Sequence, residues 1–199
     1  EMEGVKINPT PAVGVIGVEN LKNIRTMNFK NENDKIIIIG KTYDEVGGSE
    51  YYRSVHNIEQ GKAPKVRIDE EFDNATTVLN LIEDDSNEFI TAVHDCSQGG
   101  IAVTLSEMAI SGGYGCEIDV SKIPKEDKIT NNNLIYSESH GRYIITVKSD
   151  ALNDILSKIN VPCNCIGEVK GKSLILADMD ISIEKLNDSY NGVIEQYMS

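Results

Sequence analysis

Three polar clusters in this chain have the residue types needed to hold an anion, and each lies next to a predicted strand or helix end. The first is His94-Asp95-Cys96-Ser97-Gln98-Gly99-Gly100, which follows a short apolar run and opens a helical pattern. Paired glycines at a helix start let backbone N–H groups approach a ligand at the end where the helix dipole favours negative charge, so a phosphate is the natural guest. His94 and Asp95, at the end of the preceding strand, would face the same spot. A plain tight turn, with Asp95 capping the helix and His94 packed on the sheet, accounts for the same residues equally well. The second cluster, Gly47-Gly48-Ser49-Glu50, repeats the pattern of strand, turn, glycine pair and helix. Here Ser49 adds a hydroxyl, Arg53 a cation, and Glu50 either a metal ligand or a helix cap. The third, Ser137-Glu138-Ser139-His140-Gly141-Arg142, precedes another strand. Arg142 either pairs with Glu138 to orient the loop or contacts a ligand phosphate. No G-x-S-x-G elbow surrounds Ser139, which argues against a hydrolase triad with His140.

The elements that must position these clusters follow from periodicity. Residues 89–93 read as a strand, and Ile101, Ala102, Leu105, Met108 and Ala109 fall on one helical stripe that Gly112-Gly113 ends. Cys116, Ile118 and Val120 then alternate as a half-buried strand. Residues 34–40 hold a β-branched run too apolar for a sheet edge, predicting a central strand. Residues 69–83 read as a helix whose acidic start suits the dipole rather than a metal, with Phe72, Ala75, Leu79 and Ile82 as its buried stripe. An exposed loop is expected over 121–133 and a strand over 143–147. A helix is expected over 149–159 with Ser149 as N-cap. Strands over 163–169 and 173–177 would be joined as a hairpin by Lys170-Gly171-Lys172. Before all this come a rigid turn, Asn8-Pro9-Thr10-Pro11, and a glycine-broken strand over 12–18 that cannot bury itself. The expected fold class is α+β, a mixed β-sheet with helices packed on it. The expected domains are 1–33, the loosely attached tail of a preceding nucleotide-side domain; 34–182, the α+β domain; and 183–199, a C-terminal helix docked on the surface.

Composition narrows the partners. A net charge of −13 argues against nucleic acid or an anionic membrane surface, so any phosphate must be held locally. The longest apolar run, residues 36–39, is far too short to span a bilayer, and the first residues lack the pattern of a signal peptide, so a cytoplasmic location is expected. Cys96, Cys116, Cys163 and Cys165 form no C-x-x-C pair and read as buried free thiols rather than a zinc site or disulfides.

Taken together and in order, Pro9-Thr10-Pro11 with the strand after it, Gly47-Gly48-Ser49-Glu50-Tyr51, His94 through Ala102, Ser137-Glu138-Ser139 with Arg142, and Ile166-Gly167-Glu168-Val169 resemble the C-terminal domain of the aminoimidazole ribonucleotide synthetase superfamily. Gly-Gly-Ser-Glu followed by tyrosines, together with the Ser-Glu-Ser loop, is most similar to its formylglycinamide ribonucleotide amidotransferases. Gln98 stands where an acidic residue is usual, which weakens any metal role there. The resemblance implies the C-terminal portion of an ATP-dependent ligase of purine synthesis that turns formylglycinamide ribonucleotide into its amidine with ammonia or glutamine nitrogen. It implies ATP and magnesium as cofactors, and as partners the upstream half of the same polypeptide with glutaminase and small accessory subunits. No catalytic residue and no metal ligand is expected in this stretch. Phosphate or nucleotide would be bound at Gly47, Gly48, Ser49, Glu50, His94, Asp95, Gly99, Gly100 and Arg142. The alternatives are a non-catalytic phosphate- or nucleotide-binding module, or a domain of aminoimidazole ribonucleotide synthetase itself, selenophosphate synthetase or thiamine phosphate kinase.

Overall fold

Four consecutive isoleucines decide the layout. Strand β1 (Lys35–Ile39) buries Ile36 and Ile38 on one side and Ile37 and Ile39 on the other, all fully enclosed, so both faces of the sheet must be covered where it runs. The computed structural model describes residues 12–85 and 87–198, with the side chains of the last helix described as far as Gly192. Around β1 lie β2 (Ile90–Cys96), β3 (Cys116–Ile118), β4 (Arg142–Val147), β5 (Cys163–Val169), β6 (Ser173–Leu176) and β7 (Met179–Ser182). They form a mixed sheet in the order β2-β4-β1-β5-β3-β6-β7, in which β3 and β6 run parallel and all other neighbours antiparallel. The fold class is therefore α+β, as expected.

The larger core cluster joins Ile36, Ile38 and Ile144 to helix α3 (Gly100–Gly112), whose stripe of Ile101, Ala102, Leu105, Met108 and Ala109 is buried as its spacing predicts. Gly113 in the left-handed conformation ends that helix. The opposite face packs on α2 (Ile68–Glu83) and α5 (Leu152–Ser157). Helix α6 (Ile183–Met198) docks beside α3, with Leu186 against the core and Tyr190 donating to Glu107. The spacing at Val193, Ile194 and Tyr197 and the turn at Asn8 to Pro11 lie outside the described residues or side chains. All four cysteines are free; burial pushes the Cys116 thiol up to about 12 and also raises that of Cys96.

Several expectations need correction. Helix α2 turns Asn74, Val78 and Leu81 inward, with Ile82 of the expected stripe half-buried against the same core, and leaves Phe72 and Leu79 68% and 57% exposed, because the sheet takes a face rotated from the expected one. Residues 12–18 form no strand; Val13, Val15, Ile16 and Val18 are 85–98% exposed, since no neighbouring strand stands beside them among the described residues. Attachment begins before residue 34. Thr26 accepts from the Val93 N–H, Arg25 and Lys30 seal carbonyls of β2, and Phe29 is wholly buried, so residues 25–30 cover the open edge of β2. The 121–133 stretch is no simple exposed loop: Ile123 is core, and helix α4 (Asn131–Tyr136) begins at a Thr130 cap. Ser149 lies inside a short 3₁₀ turn rather than capping a helix. Strands β5 and β6 are no hairpin, because β3 inserts between them; the hairpin is β6 with β7, turned by Ala177 at φ +56°.

Candidate functional site

The two glycine turns meet, and a side chain from the third cluster stands between them. Helix α1 (Glu50–His56) starts at Ser49, whose Oγ accepts from Tyr52 N–H at 3.3 Å and donates to Val46 O at 2.5 Å. Gly48 before it takes φ +69°, and Gly99 and Gly100 at the start of α3 take +79° and +64°. One carboxylate oxygen, Glu138 Oε1, accepts the Glu50 N–H at 2.9 Å and the Gly99 N–H at 2.9 Å. The negative charge that the two helix starts attract is thus supplied from within the chain.

Glu138 is held by a buried network. Its own N–H donates to Glu45 O at 3.2 Å. On either side, Ser137 Oγ donates to Tyr43 O at 2.7 Å and Ser139 Oγ accepts from Tyr43 N–H at 3.1 Å. Arg142, fully buried, donates to Ser137 O at 2.6 Å, Ser139 O at 2.9 Å and Thr42 Oγ1 at 3.0 Å. Burial lowers its pKa, with Cys96, Glu45 and Glu138 pulling the other way. Arg142 therefore serves the loop through its carbonyls. It makes no ion pair with Glu138, and its guanidinium is enclosed among these acceptors.

Of the nine expected residues, Gly47, Gly48, Ser49, Glu50, Gly99 and Gly100 come together around Glu138, and Arg142 lies beneath them. His94 and Asp95 go elsewhere. The His94 ring meets Glu107 at 3.0 Å, two turns along α3, and Asp95 Oδ1 at 3.4 Å. The Glu50 carboxylate is occupied by Arg53, Ser54 and Gln98. Among the described residues no group of three His, Cys, Asp or Glu is placed to hold a metal ion.

Beside the Gly47 turn opens a cleft of about 520 Å³, lined by Tyr43, Glu45 and Tyr52 on one side and by Lys62, Lys65 and Arg67 on a strap formed by residues 61–67. Sequence reasoning missed both the strap and the bridging role of Glu138, although the glycine and lysines of Gly61-Lys62-Ala63-Pro64-Lys65 are a readable signal of close approach and cationic charge.

Glu138→Ala should cost about 3 kcal/mol, since two N–H groups at helix starts lose a charged acceptor. Glu138→Gln, which keeps a neutral acceptor, should cost about half as much; urea titration followed by circular dichroism checks the order. A Gln variant as stable as the parent would show that the charge on Glu138 contributes nothing.

The chain thus has a mixed sheet carrying helices on both faces, with glycine turns braced by a Ser-Glu-Ser loop. The family described as AIR synthase related protein, C-terminal domain, matches residues 31–177, and the chain belongs to it. More particularly, all 199 residues align at 61% identity with phosphoribosylformylglycinamidine synthase subunit PurL of Methanobrevibacter smithii and at 47% with the subunit of that name from Methanothermobacter thermautotrophicus. The chain spans 28% of the length of each of these relatives. Among solved structures, Thermotoga maritima PurL complexed with FGAR superposes with a TM-score of 0.71 at 15% identity over 83% of this chain and 30% of that one. The hydrogenase maturation protein HypE of E. coli reaches 0.56 at 16% identity over 80% of this chain and 52% of its own. These likenesses show a shared fold.

Proposed function

We propose that the chain is the C-terminal portion of an ATP-dependent ligase that converts formylglycinamide ribonucleotide to formylglycinamidine ribonucleotide in purine synthesis, and that this domain binds substrate phosphate or nucleotide. The observation that carries the reading is the 61% identity, over every residue of the chain, to a subunit named for that synthase. That identity also favours it over selenophosphate synthetase or thiamine phosphate kinase. The related T. maritima subunit has been solved with ATP, with ADP and with FGAR, and also as PurLQS. By analogy, the ligands here would be ATP and formylglycinamide ribonucleotide, and the partners a glutaminase and a small accessory subunit, in the cytoplasm. No helix among the described residues is long and apolar enough to cross a membrane.

What the chain itself contributes is positioning. Magnesium spreads charge over a phosphoryl group in transfer, but the residues here do not fit it. Asp44 accepts from Asn133, Glu45 from Arg67, and Glu50 from Arg53, and among the described residues no three such groups converge. The domain would present the Gly47-Gly48 turn to a phosphate, while Glu138 takes the donors of Gly99 and Glu50, and reacting groups would come from the rest of the longer polypeptide. A surface for that partner is at hand. Of fifteen large apolar side chains exposed among the described residues, thirteen fall in two stretches, 13–27 and 55–79, a concentration that suits burial against a partner. This supports the reading of the segment before residue 34 as the tail of a preceding domain, with 34–182 the α+β domain and 183–199 its final helix.

The test is reconstitution. The 199-residue chain alone should show no turnover with ammonia, ATP and formylglycinamide ribonucleotide, and adding the separately expressed remainder of the polypeptide should restore it. Phe72→Asp with Leu79→Asp should prevent restoration while changing the stability of this chain by no more than about 0.5 kcal/mol per site, because both side chains already face water. Turnover by the chain alone overturns the reading.

A further inference from the structure

The strap over the cleft is built more firmly than an ordinary surface loop. Gly61 crosses Gly47 so closely that a Cβ on Gly61 would lie 2.6 Å from Gly47 Cα, and one on Gly47 would lie 2.6 Å from the Lys62 backbone. Beyond the crossing, Lys65 N–H donates to Glu45 Oε1 at 2.9 Å, and the Arg67 guanidinium forks onto the same carboxylate at 2.8 and 3.1 Å. Arg67 also lies 3.5 Å from the centre of the Tyr43 ring. Burial opposes ionisation of Glu45, yet the hydrogen bonds from Arg67 and Lys65 outweigh it and hold the carboxyl below the usual range. The cleft is thus preformed, and its volume of about 520 Å³ suits a small molecule.

The charges in the cleft are unequally committed. Glu45 is taken by Arg67, Glu126 accepts from the Asp44 N–H at 2.5 Å, and Asp44 accepts from Asn133 at 2.7 Å. The ammonium groups of Lys62 and Lys65 have neither a hydrogen bond nor an ion pair with any described residue. Every acid lining the cleft has a donor, and two lysines lining it have no acceptor among the described residues. On a chain of net charge −13, which repels anions in general, this is a local exception.

We propose that Lys62 and Lys65 hold the phosphate of a phosphorylated small molecule in this cleft, with Asn133 and Tyr52 lining the space for the rest of it. The assignment rests on the reading of the domain as a binder of substrate phosphate or nucleotide, and it names the cations that reading lacks. The 199-residue chain should bind ribose 5-phosphate in a titration followed by ³¹P NMR, and the affinity should fall as salt is raised. Lys62→Ala with Lys65→Ala should weaken binding at least about tenfold, the cost of lost charge-assisted contacts, with an unchanged unfolding midpoint. Ribose, lacking the phosphate, should not compete. Binding that the double variant leaves intact, but that Gly48→Val abolishes, overturns the lysine assignment and leaves the phosphate reading standing. Binding of ribose 5-phosphate weaker than about 10 mM by the unaltered chain overturns both, whatever reconstitution shows about the ligase.

Discussion

Arg142→Leu is expected to destabilise the chain by about 3–5 kcal/mol, because three buried neutral acceptors lose a charged donor at once. The guanidinium donates to Ser137 O, Ser139 O and Thr42 Oγ1, and all four residues are fully buried. Two of those acceptors are backbone carbonyls that no compensating substitution can remove, so leucine leaves them enclosed without donors. At this chain length the loss corresponds to a fall in Tm of about 10 °C. Arg142→Lys should recover little of it, because a single ammonium cannot reach three acceptors spread around a planar fork. Thermal unfolding followed by circular dichroism checks both variants, and a Leu variant within about 1 kcal/mol of the parent would show that water replaces the guanidinium.

Gly100→Val should cost about 4 kcal/mol or more, placing it among the exceptional single substitutions. Two effects add here. At φ +64° any side chain carries the left-handed penalty of about 1–2 kcal/mol. A Cβ would also stand 2.3 Å from Ser137 O and 2.9 Å from Ile135 O, which belong to backbone pinned by α4 and by Arg142. Gly48→Ala separates the two effects, since Gly48 has φ +69° but nothing within 4 Å of its would-be Cβ. It should lose only the conformational part. Urea denaturation of both variants decides the point: equal losses would mean that the α3 start does not pack against the Ser-Glu-Ser loop as described.

Local patterns were legible wherever one stretch of chain supplies both the signal and its reason. Four β-branched residues between charge and glycine can be little but a doubly buried strand, and β1 is one. The stripe on α3 and the glycine that ends it were readable from spacing alone, and so were the glycine turns, whereas the cap of α1 is Ser49 and not Glu50. Helix α2 shows where spacing stops informing. Its sequence offers Asn74, Val78 and Leu81 on one side and Ile68, Phe72 and Leu79 on another, and the 3.6-residue period describes both equally. Which stripe meets the sheet depends on where β4 and β1 lie.

By itself, then, the sequence determined the α+β class, the strands and helices with a single apolar period, and the positions of the glycine turns at two helix starts. Only the tertiary structure decided what meets those groups. Glu138 reaches Gly99 across 39 residues and Glu50 across 88, β3 slips between two strands adjacent in sequence, and His94 turns to Glu107 instead of to the glycines. Helix and turn signals arise from steric and hydrogen-bonding preferences within a few residues, whereas an acceptor for a helix start is chosen by whichever distant side chain the packed sheet delivers to hydrogen-bonding distance.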